Sequence, residues 1–213
     1  PGLRIPVSPR DLQQIAVAVL LSKRTDYHRL TLRWCRRIWL EIGESWSLIA
    51  SSKSLSRVGS SYQIEAMRRS ISCLLRHQHR LESLAVEGEA HAMRALLMSC
   101  WGVGPKTADA IVLCTTKCTS IYPCDVNLMR VLTRVGLISS SHSPPEKAYC
   151  LKYTCSSCPK DSCIMKALKA GELGGWLQSL TYVVGKVYCK PIRPRCSSCP
   201  VRGVCSSSSE LSR

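Results

Sequence analysis

Four cysteines near the C-terminal end of the chain have the spacing of metal ligands. Cys189, Cys196, Cys199 and Cys205 form a C-x6-C-x2-C-x5-C run. Thiolate sulfur binds zinc or iron–sulfur clusters in preference to hard cations, and the two-residue gap between Cys196 and Cys199 lets both sulfur atoms reach one centre. A disulfide staple is the alternative. Metal binding is favoured because the chain holds 14 cysteines and its sequence contains no secretory signal pattern.

A second group of cysteines precedes this run and repeats part of it. The sequence Cys-Ser-Ser-Cys-Pro occurs at 155–159 and again at 196–200. Such a repeat of ligand chemistry predicts a second metal site, either zinc or another iron–sulfur cluster. The alternatives are disulfides or thiols that bind no metal. The predicted ligands are Cys150, Cys155, Cys158 and Cys163.

The stretch from Cys100 to Asp109 predicts two helices joined by a tight hairpin. Gly102 and Gly104 permit the positive φ of a short turn, and Pro105 suits the first position of the second helix. Backbone amides at a helix start bind phosphate, so the hairpin is expected to hold a nucleic-acid backbone without reading bases. An ordinary interhelical turn is the alternative.

Asp125 stands directly before another apolar-periodic segment and is predicted to be a helix N-cap. A carboxylate at a helix start is kept ionised by the helix dipole. It would therefore also stabilise a positive charge that develops beside it during a reaction. The two roles are compatible.

The elements that must position these residues are predicted to be helices throughout, which makes the fold all-α. Apolar residues recur at helical rather than alternating spacing. One helix begins near Asp11 and is expected to bury Leu12, Ile15, Val19 and Leu20, and the next carries Leu30, Trp34, Ile38 and Ile42 on one stripe. The further predicted helices are 62–76, 91–100, 106–114, 126–135 and 174–187. The Ser/Pro-rich break at 139–145 predicts a boundary between a helical lobe, 10–138, and a cysteine-rich lobe, 139–213.

The charge balance points to a polyanionic partner. The chain carries 30 Lys and Arg against 14 Asp and Glu, a formal net charge of +16. Such an excess favours nucleic acid through counterion release. An anionic membrane surface is the alternative partner. The longest apolar runs are far too short to span a bilayer, so membrane spanning is excluded and no membrane is expected among the partners. A monomer is the default, and reduced cysteines favour an intracellular location in the cytoplasm or nucleoid.

Taken together, the hairpin, the lysine, the aspartate and the cysteine run resemble the endonuclease III group of the helix-hairpin-helix DNA glycosylase superfamily. The resemblance covers roughly residues 11–205. It rests on Gly-Val-Gly-Pro-Lys-Thr-Ala at 102–108, Pro-x-Asp at 123–125 followed by Arg130-Val131, and Gly185-Lys186 leading into the cysteine run. The resemblance implies a two-lobed helix-hairpin-helix fold, and it implies that the run binds a [4Fe–4S] cluster rather than zinc.

The implied activity is excision of a damaged base from duplex DNA after the nucleotide is flipped out of the helix. Lys106 matches the family's nucleophile, which attacks C1′, forms a Schiff base and nicks the strand by β-elimination. Asp125 would assist proton transfer and stabilise the oxocarbenium-like sugar. The expected substrates are oxidised pyrimidines. Two alternatives remain: a monofunctional glycosylase for uracil or thymine opposite guanine, and a DNA-binding protein without catalysis.

Two surface segments are expected to contact DNA. The loop Lys23-Arg24-Thr25 matches the family's loop that meets DNA, although its residues look more like those of the thymine-mismatch enzymes. Arg24 is the candidate for filling the gap that a flipped base leaves, and a plain phosphate contact is the alternative. The hairpin residues expected to bind DNA are Gly102, Val103, Gly104, Lys106 and Thr107. The chain departs from the endonuclease III pattern after the aspartate, where Val126-Asn127 replaces a Thr-His pair.

Overall fold

The computed structural model describes residues 4–53 and 55–207, and it confirms the all-α fold class. Within those residues all regular structure is helical, apart from one isolated parallel bridge between Ser143 and Cys163. None of the described helices is long and apolar enough to cross a membrane. The chain divides into two compact units. One is Pro6–Cys118, here called the helical unit, and the other comprises the described residues from Thr119 onward together with Arg4 and Ile5, here called the cysteine-rich unit.

In the described part of the helical unit there are seven α-helices, a π-helical turn at Tyr27–Thr31 and a short 3-10 turn at Pro9–Asp11. Their bounds are α1 Leu12–Leu21, α2 Leu32–Glu41, α3 Trp46–Ser51, α4 Tyr62–Leu75, α5 Gln78–Glu87, α6 Ala90–Ser99 and α7 Pro105–Thr115. Helix α1 packs against α4 and α7 and so forms the centre of the unit.

The buried face of α1 differs from the predicted one. Leu12 and Leu20 are buried as expected, but Ile15 and Val19 are only half-buried, and Ala16, Val17 and Leu21 take their place. The segment is apolar on every face, so its sequence pattern does not define the orientation of the helix. The orientation follows from the neighbouring helices.

Four α-helices lie in the cysteine-rich unit, namely α8 Val126–Val135, α9 Lys147–Cys150, α10 Ile164–Leu168 and α11 Gly174–Val187. Helix α11 packs along α8, and close approach at its start requires glycine. A Cβ atom on Gly174 would lie 2.0 Å from the Tyr122 ring. The loop before α8 is joined to α11 by a hydrogen bond from the Gly175 amide to the Thr119 carbonyl oxygen, at 2.8 Å.

The division of the chain at Cys118 precedes the predicted boundary at residues 138–139. The predicted boundary is a surface loop, whereas α8 is held along its length by α11 and by the cysteine run. Arg130 donates to the Cys189 carbonyl oxygen at 2.7 Å, and Arg134 donates to the Lys190 carbonyl oxygen at 2.7 Å. Asp125 therefore belongs to the cysteine-rich unit, while Lys106 belongs to the helical unit.

Candidate functional site

The hairpin between α6 and α7 forms as the glycines predict. Gly102 has a φ of +73°, a conformation that residues with a Cβ atom rarely adopt. A Cβ atom at this position would also lie 2.5 Å from Ser70 Oγ. The residue at 102 therefore has to be glycine for both backbone and packing reasons.

The start of α7 presents backbone amides without a capping side chain. Its N-cap is Gly104, with φ −105° and ψ 177°, and Pro105 occupies the first helical position. No side chain within the described residues caps this end. The positive end of the helix dipole and the amides of the first turn are thus available to an anion such as a DNA phosphate.

The predicted DNA-contacting residues of the hairpin fall into two classes. Lys106 is exposed, as a DNA contact or nucleophile requires. Val103 and Thr107 are buried, at 1% and 8% exposure, so their side chains anchor the hairpin and are not presented to a ligand.

The loop that follows α1 lies against the hairpin within the helical unit. Lys23 Nζ donates a hydrogen bond to the Gly102 carbonyl oxygen, and Thr25 Oγ1 donates to the Leu21 carbonyl oxygen at 2.9 Å. Between them Arg24 is exposed, with a left-handed φ of +53°. The structure therefore brings the two predicted DNA-binding segments together and leaves the Arg24 side chain at the surface.

Asp109 is a buried carboxylate whose role the sequence analysis did not identify. It lies on α7, is only 2% exposed and pairs with Arg94 of α6, whose Nη2 is 3.3 Å from Asp109 Oδ2. Burial raises the pKa of this carboxyl to about 6, and Arg94 opposes that rise. The pair fastens α6 to α7 on either side of the hairpin.

Asp125 caps α8 as predicted and is nearly enclosed, at 8% exposure. Its Oδ1 accepts hydrogen bonds from the backbone amides of Asn127, at 3.0 Å, and Leu128, at 2.7 Å. Its Oδ2 accepts a further bond from Asn127 Nδ2 at 3.0 Å. Neutral donors and the helix dipole thus fix the orientation of the carboxylate.

Asn127 connects Asp125 to the cysteine run, a link that sequence reasoning missed. Its Oδ1 accepts a hydrogen bond from Arg130 Nη2 at 2.7 Å, and Arg130 Nε donates to the Cys189 carbonyl oxygen. A Cβ atom on Gly185 of α11 would lie 2.8 Å from Asn127 Oδ1, so glycine allows this close packing. The signal available in the sequence was the departure from the family pattern at Val126-Asn127.

The four predicted cluster ligands line one cavity of about 380 Å³, a volume that includes its opening to solvent. Arg134 of α8 forms part of the cavity wall and contacts two of these cysteines. Its Nη1 lies 3.4 Å from Cys189 Sγ, and its carbonyl oxygen accepts a hydrogen bond from Cys205 Sγ at 3.3 Å. The other lining residues are mostly cationic or apolar: Val131, Val135, Val184, Tyr188, Pro194, Arg195, Val201 and Arg202. A thiolate-bound cluster is anionic, so this lining fits it.

The four thiols of the cysteine run do not gather around one point. Among the residues that the structure describes, no three side chains of Cys, His, Asp or Glu converge as ligands for one ion. A [4Fe–4S] cluster does not need such convergence, because each thiolate binds a different iron atom. The donor set, the shared cavity and the cationic wall therefore fit a cluster at Cys189, Cys196, Cys199 and Cys205.

The second cysteine group is spread over different environments. Cys163 is buried at 7% exposure, Cys155 is exposed, and Cys150 and Cys158 are half-buried. Cys163 lies at the bridge to Ser143, where Ile164 N donates to the Ser143 carbonyl oxygen at 3.0 Å. A second metal site stays a prediction that these contacts do not test.

Comparison with known proteins finds a similarity to an endonuclease III. Endonuclease III of Sulfolobus acidocaldarius is 27% identical to this chain over 125 residues. The match covers 57% of this chain and 48% of the relative, so the chain spans about half the length of the curated relative that it matches. No family model matches the chain.

Proposed function

We propose that this protein is a base-excision DNA glycosylase that also cleaves the strand at the abasic site it creates. The observation that carries the proposal is the first turn of α7, where the exposed Lys106 follows an uncapped hairpin. The similarity to endonuclease III and the formal charge of +16 support it. The ligand is duplex DNA with a damaged or mismatched base.

In this proposal the helical unit grips the DNA backbone. A phosphate binds at the amides that begin α7, and Lys23, which is bonded to the hairpin through the Gly102 carbonyl oxygen, adds positive charge beside it. Such contacts position the protein without reading sequence. Arg24 occupies the space left in the duplex when the target nucleotide rotates out of the stack.

Lys106 supplies the nucleophile. Its neutral amine attacks C1′ of the flipped nucleotide and the base departs with a proton, after which the sugar ring opens to a Schiff base on Nζ. Loss of a C2′ proton then expels the 3′ phosphate by β-elimination, and water releases Lys106. The exposure of Lys106 suits attack on a bound substrate, because no protein group has to move aside.

Asp125 stabilises the positive charge that develops on the sugar as the base leaves. The bonds from the Asn127 and Leu128 amides hold its carboxylate at the start of α8, so it need not reorient during the reaction. Cys189, Cys196, Cys199 and Cys205 would hold a [4Fe–4S] cluster, which when bound would brace the 189–205 segment and its arginines. A second metal at Cys150, Cys155, Cys158 and Cys163 is proposed on the sequence repeat alone.

The test is to incubate the protein with duplexes that carry thymine glycol, uracil opposite guanine, or an abasic site, with and without borohydride. Wild type is compared with Lys106→Ala and with Lys117→Ala, a matched change of another exposed lysine in the same unit. We expect a borohydride-trapped adduct with wild type and Lys117→Ala but none with Lys106→Ala.

The outcomes separate the candidate functions. The lesion processed fastest identifies the substrate class, and oxidised pyrimidines are the expected one. Base release without a trapped adduct would instead place the protein among monofunctional uracil or thymine mismatch glycosylases. Binding of duplexes without base release from any of them would contradict the proposal in favour of a non-catalytic DNA-binding protein.

A further inference from the structure

Helix α4 meets the residues just before the hairpin at three successive points. The Arg69 guanidinium stacks over the Trp101 ring at 4.1 Å. Ser70 Oγ fills the space where a Cβ atom of Gly102 would lie. One turn further along α4, Cys73 interacts with the side chain of Cys100. The segment that leads into the hairpin therefore packs along α4. This packing brings the thiols of Cys73 and Cys100 together.

The two thiols have different surroundings. Cys73 is half-buried, and Arg76 Nη2 donates to its sulfur atom at 3.1 Å. Burial by itself would raise the pKa of Cys73, but hydrogen bonds from Cys100 and the Trp101 backbone, together with Arg76, outweigh burial and lower the pKa. Cys100 is fully buried, and burial raises its pKa. These surroundings favour the thiolate form at Cys73 and the neutral thiol at Cys100.

Two other cysteines of the same unit lack these features. Cys35 on α2 is buried, and burial raises the pKa of its thiol to about 11. Burial likewise raises the pKa of Cys114 on α7. Thiolate character and access govern cysteine oxidation, so Cys73 is the most reactive of these thiols.

We propose that Cys73 and Cys100 form an oxidation site, at which a peroxide converts the two thiols into a disulfide that weakens DNA binding by the adjacent hairpin. The disulfide itself is independent of the function proposed above, whereas its effect on DNA rests on that function.

The chemistry proceeds in two balanced steps. The Cys73 thiolate attacks hydrogen peroxide, which breaks the O–O bond, releases hydroxide and leaves a sulfenic acid on Cys73. The Cys100 sulfur then attacks the Cys73 sulfur and displaces its hydroxyl group, which leaves as water with the thiol proton. Two electrons pass from the thiols to one peroxide, and a reducing dithiol reverses the change.

A structural consequence follows from the bond length. A disulfide bond of about 2.05 Å is much shorter than a contact between two hydrogen-bonded sulfur atoms. Closing it draws Cys100 toward α4 and shifts Trp101 and Gly102, which already pack tightly on Arg69 and Ser70. The hairpin amides follow Gly102, and the Lys23 bond to the Gly102 carbonyl oxygen is disturbed.

The first experiment measures oxidation without DNA. The reduced full-length chain is treated with hydrogen peroxide, and its disulfides are mapped by mass spectrometry of peptides. We expect a Cys73–Cys100 linkage as the first product within the helical unit, and alkylation of Cys73 in untreated protein at least about tenfold faster than that of Cys35. A Cys73 that reacts no faster than Cys35, or peroxide treatment that yields no such linkage, would overturn the proposal.

The second experiment measures affinity for an abasic-site duplex before oxidation, after oxidation and after reduction with dithiothreitol. We expect oxidised wild type to bind about fivefold more weakly or worse, with full recovery on reduction. Cys73→Ser, treated identically, serves as the control for peroxide damage elsewhere, and Cys35→Ser should behave like wild type.

Failure of the oxidation proposal and failure of the proposed function would give different results. Equal loss of affinity in Cys73→Ser and wild type, or a mapped disulfide without any change in affinity, would refute the regulatory effect. Reduced wild type that binds no duplex would contradict the proposed function, while the peptide map would still decide whether the oxidation site exists. Reversal by dithiothreitol in wild type needs no variant, so instability of a substituted protein cannot obscure the result.

Discussion

Helices α7 and α8 begin with almost the same backbone and opposite electrostatics. Gly104 and Asp125, their N-cap residues, have φ, ψ values of −105°, 177° and −102°, 173°. Gly104 has no side chain to offer, whereas Asp125 binds two amides of its own helix. The start of α7 can therefore receive an external anion, while the start of α8 already holds one.

Because of this difference, the starts of α7 and α8 suit different roles although their backbones are similar. In the proposed function, the amides of α7 attract a phosphate, and Lys106, which is exposed in the same turn, acts on the bound DNA. The carboxylate of α8 is fixed in advance by the protein, through Asn127 and the backbone amides. Binding requires an unfilled helix start, whereas charge stabilisation requires a filled and rigid one.

The strongest test removes the charge at the start of α8. Asp125→Asn keeps an oxygen acceptor for the cap but cannot stabilise a cationic sugar. We expect base release to fall by about 10²- to 10⁴-fold, as for loss of a positioned catalytic group, with DNA affinity nearly unchanged. Single-turnover kinetics and binding titrations measure the two quantities. Retention of base release within about tenfold of wild type would show that the carboxylate only caps the helix.

A second test concerns Asp109, a buried carboxylate on α7. It measures whether this side chain gives α7 a negative charge in the folded protein. Burial raises the pKa of Asp109 from 3.8 to about 6, so the folded protein keeps a proton that the unfolded chain releases. The free energy of unfolding should therefore fall as pH rises from about 4 to about 6, by up to about 3 kcal/mol. Urea unfolding across this range checks it. The control is Asp109→Asn, in which this part of the pH dependence should vanish.

The helices α7 and α8 also differ in the side chains that support their first turns. The substitution Asn127→Ala tests this support at α8. The change deprives Asp125 Oδ2 of a donor and Arg130 of an acceptor, and both are largely shielded from water. We expect a loss of about 1–3 kcal/mol in the free energy of unfolding, together with slower base release. Val126→Ala, at a neighbouring side chain that is 69% exposed, should change stability by less than about 0.5 kcal/mol. Equal effects of the two variants would show that the hydrogen bonds of Asn127 do not stabilise the start of α8.

The smallest expected effect comes from making α7 resemble α8. In Gly104→Asp the new Cβ atom meets no atom within 4 Å, and the backbone φ suits any residue. The carboxylate should cap α7 and repel phosphate, which weakens DNA binding by about tenfold while stability rises by a few tenths of a kcal/mol. Gly104→Asn caps without charge and should weaken binding less. Identical affinities for both variants would mean that no phosphate binds at this helix start.

Much of the helical framework was accessible from the sequence, because Gly and Pro mark the ends of segments with clear periodicity. The predicted helices 126–135 and 174–187 have the bounds that the structure gives to α8 and α11. Helices α3, α5, α9 and α10 were not predicted, and α9 and α10 are only four and five residues long. Helix α5 carries polar residues on a broad face, and α3 is only six residues long, so neither presents a distinct pattern.

The site was accessible where chemistry depends on neighbours in sequence and inaccessible where it depends on packing. The Asp125 cap follows from its position just before an apolar helix. The contacts of Asn127 depend on Gly185, which lies on α11. No pattern in the sequence around Asn127 predicts these contacts. The burial of Val103 likewise reflects the surrounding helices, whereas hairpin sequence alone predicted a residue at the DNA surface.

The close fit of Asn127 against Gly185 has a consequence for how this protein varies through evolution. A larger residue at 185 would strike the asparagine side chain at 2.8 Å, and removing the asparagine would leave space beside α11. Each position therefore limits what the other accepts. In an alignment of descendants of this sequence, the two columns should change together, and the pair should reveal itself as a correlated substitution.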